Sequence, residues 1–335
     1  YDQTSDNYMQ AGQLLANGVD ITFNENLWID AGKVVMGDGG TLSLRKGGGL
    51  GTSGNGVLDL TNSTLELYGP FLNDGGTLTT EASTLSLQGN SLFRLGGNVT
   101  FDDYKPNGWG ILLYNNQQTG VEKSLTLGTD DTTIILEPNA ASLTDGFVSW
   151  YHEDETEYSS GTHSIGIDAN DTTLIINGNI NLGESATISS NSGNVSLGNL
   201  NIASSSIDVK GGTLNITGGS VGANGSIEIG GSGTLKLGGN IAVTGIINLN
   251  DGATTTFAGN KIDVSGGTLK LAGTHSLNSF TTNDQTKLQI NNSANVSRTD
   301  SGTSTVGDLS IVVMQGHSGG NSPVSYTHLT LPTKA

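Results

Sequence analysis

The chain contains no cysteine. That removes a disulfide framework, a thiolate metal site and a cysteine nucleophile from consideration. Charge is also scarce: 13% of residues are Asp, Glu, Lys or Arg, about half the usual share. Classical disorder joins strong charge to few branched aliphatics, so this composition argues for a folded chain. Only 13 residues are basic against 31 acidic, a net charge of −18. Such a surface repels phosphate backbones and argues against nucleic acid as a partner. No apolar run approaches the ~20 residues of a membrane-spanning helix. No signal peptide opens the chain, which begins Tyr1-Asp2-Gln3 without Met, so its start is expected to be truncated or processed.

Hydrophobic residues are 34% and aromatics 5%, too few for a compact globule with one thick core. Glycine, at 51 residues, is abundant, and Leu, Ile and Val recur in alternating positions throughout. This combination predicts a thin core spread along an elongated array. The end of the chain differs. Val324 to Ala335 (Val-Ser-Tyr-Thr-His-Leu-Thr-Leu-Pro-Thr-Lys-Ala) breaks the style abruptly and resembles a translated sequencing-adapter read-through at the end of a metagenomic gene fragment. The natural sequence is then expected to leave this reading near Pro323 and continue. A disordered tail is the alternative, and 316–335 is set aside from the fold either way.

The array shows itself most clearly in the second half. Asn194-Val195-Ser196-Leu197, Gly212-Thr213-Leu214-Asn215-Ile216, Gly233-Thr234-Leu235-Lys236-Leu237, Gly267-Thr268-Leu269-Lys270-Leu271 and Lys287-Leu288-Gln289-Ile290 repeat one pattern. Their first apolar residues fall at 195, 214, 235, 269 and 288. The wide interval before Leu269 predicts a short or reshaped rung around Asn250 to Lys261. Shorter strands lie between these units: Leu200-Asn201-Ile202, Ile207-Asp208-Val209, Ile227-Glu228-Ile229 and Ile241-Ala242-Val243. Each unit of about twenty residues therefore reads as three short strands, with period-two alternation burying one face. Gly and Asn between them supply corners with positive φ.

One such unit cannot bury its own apolar groups. Stacked units can, with Leu214, Leu235 and Leu269 piled in a column and each rung hydrogen-bonded to the next at ~4.8 Å. The first half carries the same signature at Thr41-Leu42-Ser43-Leu44, Thr64-Leu65-Glu66-Leu67 and Thr84-Leu85-Ser86-Leu87, with Leu125-Thr126-Leu127 two rungs on. The prediction is an all-β, parallel β-helix over 20–315, preceded by an irregular or capping segment, 1–19. Right-handedness is taken from the general preference of parallel crossovers. Roughly fifteen rungs give a rod on the order of 70 Å.

Two stretches interrupt the pattern and are expected to project as loops, near 102–118 and 137–163. Scaffolds of this kind place function on such loops. They hold the candidate binding residues Trp109, Tyr114, Trp150, Tyr151 and His152, whose rings suit stacking on sugars or a protein-binding patch. The plainer alternative is that they cap an irregular rung and cover the core. The acidic run Glu153 to Glu157 reads as a solvated loop face.

Catalysis is not expected. Glycoside hydrolysis needs two carboxyls across a scissile bond. Asp102-Asp103 and Asp130-Asp131 are contiguous, and neighbours on a strand point to opposite faces. Arg occurs only at 45, 94 and 298, away from the aromatic stretches. The glycine runs lack the Lys-Ser/Thr of a phosphate-binding loop, and the calcium-binding nonapeptide is missing. No catalytic residue, metal or cofactor is therefore assigned. Asn-x-Ser/Thr triplets at Asn98, Asn170, Asn194, Asn215 and Asn295 are what a chain rich in these residues yields by chance.

The Gly-Gly-Thr-Leu-x-Leu/Ile units at 39–44, 211–216 and 266–271 resemble the strand repeats of bacterial autotransporter passenger domains and related large adhesins, over most of 20–315. That resemblance implies a surface-displayed or secreted structural stalk acting in adhesion or cell-cell contact. It also implies an extracellular or outer-membrane location in a Gram-negative bacterium, and surface glycans or proteins as partners. The outer-membrane translocator barrel is then presumed to lie in a missing C-terminal part. Alternatives are a carbohydrate-active β-helix, lyase or hydrolase, and a phage tail-spike segment.

Overall fold

The computed structural model describes residues 7–45, 48–115 and 123–136. It continues over 165–250 apart from 171, 183–185, 191–193, 203–204 and 231–232, and then over strands reaching residue 314. The described residues form 37 strands, β1 (Asn7–Met9) to β37 (Ile311–Met314), and no helix. Strand neighbours are parallel and about one twenty-residue repeat apart, as in Leu42↔Leu65 and Leu65↔Leu85. The protein is a parallel β-solenoid.

One ladder, sheet A, runs the length of the described chain and stacks fourteen strands. Its inward column passes through Leu27, Leu50, Phe71, Phe93 and Leu113. It resumes through Ile188, Ile207, Ile227, Ile247 and Leu269. Apolar side chains from every face meet in one continuous cluster from Ala16 to Leu269. Burial of this cluster is the main force holding the rod, at about 1.5–3 kcal/mol for each fully buried Leu, Ile, Val or Phe.

In the first rungs the coil has three faces. Sheet B stacks β2 (Gln13–Leu15), β5 (Lys33–Val35), β8 (Val57–Asp59) and β11 (Thr77–Thr79), while sheet C stacks β3 (Ile21–Phe23) to β15 (Asp103–Lys105). The segment 1–19, expected to be irregular, thus supplies the first strands of sheets A and B from Asn7 onward. Corners need left-handed backbone. At one corner Gly18 (φ 81°), Gly39 (φ 82°), Asn62 (φ 54°) and Ala82 (φ 54°) succeed one another up the coil.

Further along, sheets B and C give way to a bent sheet D. Sheet B ends at β11 and sheet C at β15, whereas sheet D starts at β14 (Val99–Phe101) and continues through β17 (Ser124–Leu127). Two short strands per rung then fuse into one bent strand: β20 (Thr173–Leu182), β22 (Asn194–Ile202) and β24 (Thr213–Val221). Val195-Ser196-Leu197 and Leu200-Asn201-Ile202, read separately in the sequence, belong to that single β22. The register shifts at the bend between Ile176 and Asn179.

Two sequence expectations are corrected. Leu214 and Leu235 pair directly in sheet D, but Leu269 stacks on Ile247 in sheet A. The wide interval before Leu269 is therefore a change of face, not a shortened rung. Leu235 is followed in its own ladder by Thr255, in a strand, Thr254–Thr256, without apolar residues. Secondly, the described part of the stretch 102–118, up to Asn115, does not project as one loop: Asp103–Lys105 and Ile111–Asn115 are strands of sheets C and A. The stretch 137–163 and the tail 316–335 lie outside the described residues.

Candidate binding surface

Because side chains alternate along a strand, the outer face of sheet A is fixed by its inner one. In Leu27-Trp28-Ile29 the two aliphatics are fully buried, so Trp28 points outward. Register places Tyr8 before Trp28, and Gly51, then Leu72, after it. A second small apolar cluster, separate from the interior, joins Leu72, Leu92 and Leu112, with Trp28 packed against it.

Gly51 decides how Trp28 lies. A β-carbon built at Gly51 would land on the six-membered ring, against Cε3 and Cζ3 and 2.8 Å from Cδ2. A point beside the Cε3–Cζ3 edge would stand farther than that from Cδ2, so the β-carbon position lies over the ring face. The indole therefore lies flat on the sheet across the bare glycine. Tyr8, 41% exposed, has its ring 12° from the plane of Trp28 with centroids 6.5 Å apart. Rings in contact are about 3.5–4 Å apart, so most of that separation is sideways. Both rings turn a face outward.

Polar groups border this platform. Asp30, exposed and two residues beyond Trp28 on the same side of the strand, accepts a hydrogen bond from Ser53 Oγ at 2.9 Å. Asp74 holds the next position in the ladder, opposite Ser53.

Of the predicted site residues, Trp109 and Tyr114 fall among the described ones. Trp109 closes a turn in which its N–H donates to the Pro106 carbonyl at 2.9 Å, and its side chain packs against the main core. Tyr114 sits in sheet A between the register positions of Arg94 and Asn170. Trp150, Tyr151 and His152 lie outside the described residues. The signal that sequence reading missed is the triplet Leu27-Trp28-Ile29: an aromatic flanked by inward aliphatics must face out.

Of the carboxylate pairs weighed for catalysis, Asp102-Asp103 is tied to the backbone. Asp102 Oδ2 accepts the Ala82 N–H at 2.7 Å, and Asp103 Oδ1 accepts the Tyr104 N–H at 2.9 Å. Among the described residues no three His, Asp or Glu side chains gather as a metal site. A shallow groove of about 260 Å³ lies over the bend of sheet D, lined by Asp130, Asn177, Gly178, Asn179, Gly198 and Asn199 among others. Its amides bond along the rod axis, Asn199 Nδ2 to Asn179 Oδ1 at 3.0 Å, with Asn177 Nδ2 donating to the Gly128 carbonyl at 3.1 Å. These are rung-to-rung ties that hold the bend.

No protein-family model, curated protein or solved structure matches the chain. The class is defined by the fold: a parallel β-helix repeat protein.

Proposed function

We propose that this chain is the stalk of a surface-displayed or secreted adhesin, resembling an autotransporter passenger and acting in adhesion or cell-cell contact outside a Gram-negative bacterium. The observation that carries the reading is the unbroken ladder of sheet A from Asn7 to Met314. A rod so built supplies reach, since each rung adds about 4.8 Å. Its ladder bonds leave few backbone groups open to proteases. Contacts repeated along its length add up through multivalency even when each is weak. The acidic surface keeps the long β-structure soluble.

The test is adhesion itself. Beads coated with the full chain are expected to bind bacterial or host cells several-fold more than beads coated with an unrelated acidic protein. Equal binding overturns the proposal. Release of reducing ends from a panel of polysaccharides would replace it with a carbohydrate-active enzyme.

A further inference from the structure

We infer that Tyr8 and Trp28 form a stacking platform for a neutral glycan chain, with Asp30 as its hydrogen-bonding border. The inference deepens the adhesion reading and rests on it only for its biological purpose.

The geometry supplies what a sugar requires. A pyranose has an aliphatic C–H face and a rim of hydroxyls. Such a ring binds by laying its C–H face on an aromatic face while a few placed polar groups fix its orientation. Here two rings lie within 12° of parallel, and since that of Trp28 is flat on the sheet, both turn a face outward. The indole stays flat because position 51 carries no side chain: a β-carbon there would collide with it and tip it off the sheet. The carboxylate of Asp30 is held beside the platform by the Ser53 hydroxyl and is suited to accept hydrogen bonds from sugar hydroxyls.

Two observations select the occupant. Among the described residues, the open part of the patch is these two rings, since Leu72, Leu92 and Leu112 are already 7%, 8% and 2% exposed. A stable protein interface needs roughly 1,000 Å² or more, whereas two rings match one or two sugar units. The charge decides among sugars. With Asp30 and Asp74 on the border and −18 on the whole chain, uronates and sialylated glycans are repelled and neutral hexose chains are favoured.

The experiment uses the full chain against immobilised cellohexaose, maltohexaose and laminarihexaose, with polygalacturonate as the anionic control. Binding to at least one neutral hexaose is expected, and weaker binding to polygalacturonate. Tyr8→Ala and Trp28→Ala are each expected to weaken it at least tenfold. Gly51→Val keeps both aromatics but displaces the indole, and is expected to cause a comparable loss. Tyr8 is exposed, so Tyr8→Ala should leave the far-ultraviolet β-sheet spectrum unchanged and tests the platform even where Trp28→Ala loosens the coil. No binding to any neutral hexaose, preference for polygalacturonate, or unchanged binding by Tyr8→Ala would each overturn the inference. The same variants on beads separate the two proposals: a platform that fails while wild-type beads still adhere to cells leaves the stalk reading standing.

Discussion

The ring of Phe93 meets that of Phe71 edge to face, with centroids 5.1 Å apart and planes at 60°. Both are fully buried and stand opposite each other on neighbouring strands of sheet A. The arrangement adds a directional aromatic contact, worth about 0.5–1.5 kcal/mol, to the burial of two large rings. Phe93→Ala is expected to destabilise the coil by about 3–5 kcal/mol, because the column above and below cannot close over the void. The urea midpoint measures it, and a shift equivalent to under about 1 kcal/mol would contradict this packing.

Asn90, 4% exposed, accepts the Gly110 N–H through Oδ1 at 3.0 Å. The bond ties one rung to the next at the corner where the chain enters sheet A. Asn90→Ala leaves a buried N–H without its acceptor, so a loss of about 1–3 kcal/mol is expected. Asn90→Asp keeps the acceptor oxygen and should recover part of that loss at neutral pH.

Ala82 holds φ at 54°, at the corner where Gly18 and Gly39 stand in earlier rungs. A β-carbon in left-handed backbone costs roughly 1–2 kcal/mol, which glycine avoids. Part of the gain is offset by glycine's greater freedom in the unfolded chain. Ala82→Gly is therefore expected to stabilise the protein by several tenths of a kcal/mol. A lower melting temperature in that variant would contradict the corner geometry.

Tyr104 is 2% exposed, and its hydroxyl has no protein hydrogen-bond partner. Burial pushes its ionisation well above the ordinary tyrosine value near 10. The folded protein therefore keeps a proton that the unfolded chain releases above pH ~10. The contribution of this group to stability is complete below that pH and declines as pH rises further. Tyr104→Phe removes both the unpaired hydroxyl and this term. Its melting temperature should be equal or higher at pH 7, and its lead over wild type should widen between pH 9 and pH 11.

Much of the architecture was legible in the sequence because period two is a strong signal. Thr-Leu-x-Leu says which residues face in, and Leu42, Leu65, Leu214 and Leu235 are indeed fully buried. The same signal is silent about which face a strand joins. Thr234-Leu235-Lys236-Leu237 and Thr268-Leu269-Lys270-Leu271 are identical, yet the first lies in sheet D and the second in sheet A. Which face a strand joins is set by the corners between strands, and corner residues are interchangeable among Gly, Asn, Ser and Asp. Thr254–Thr256 escaped notice because a polar strand carries no alternation. Tyr104 escaped because it replaces leucine in its ladder, pairing with Leu85. Of the binding surface, Trp28 was readable as outward. The flatness of its ring was not, since that depends on a glycine twenty-three positions away brought alongside by the coil.

The exchange of sheets B and C for sheet D has a mechanical consequence. In this coil the ladder bonds run along the rod axis, so they are the members that bear a pull on its ends. Between the rung ending in β12 (Thr84–Leu87) and the next, the ladders at β13 (Ser91–Leu95) and β15 continue while β11 has no successor. One rung later it is β15 whose ladder stops, while sheet A and β14 carry on. Two successive junctions thus bear load on two sides of a three-sided tube. Bending and torsion gather there, and the rod acquires a compliant joint about a third of the way along, with a stiffer arm on either side.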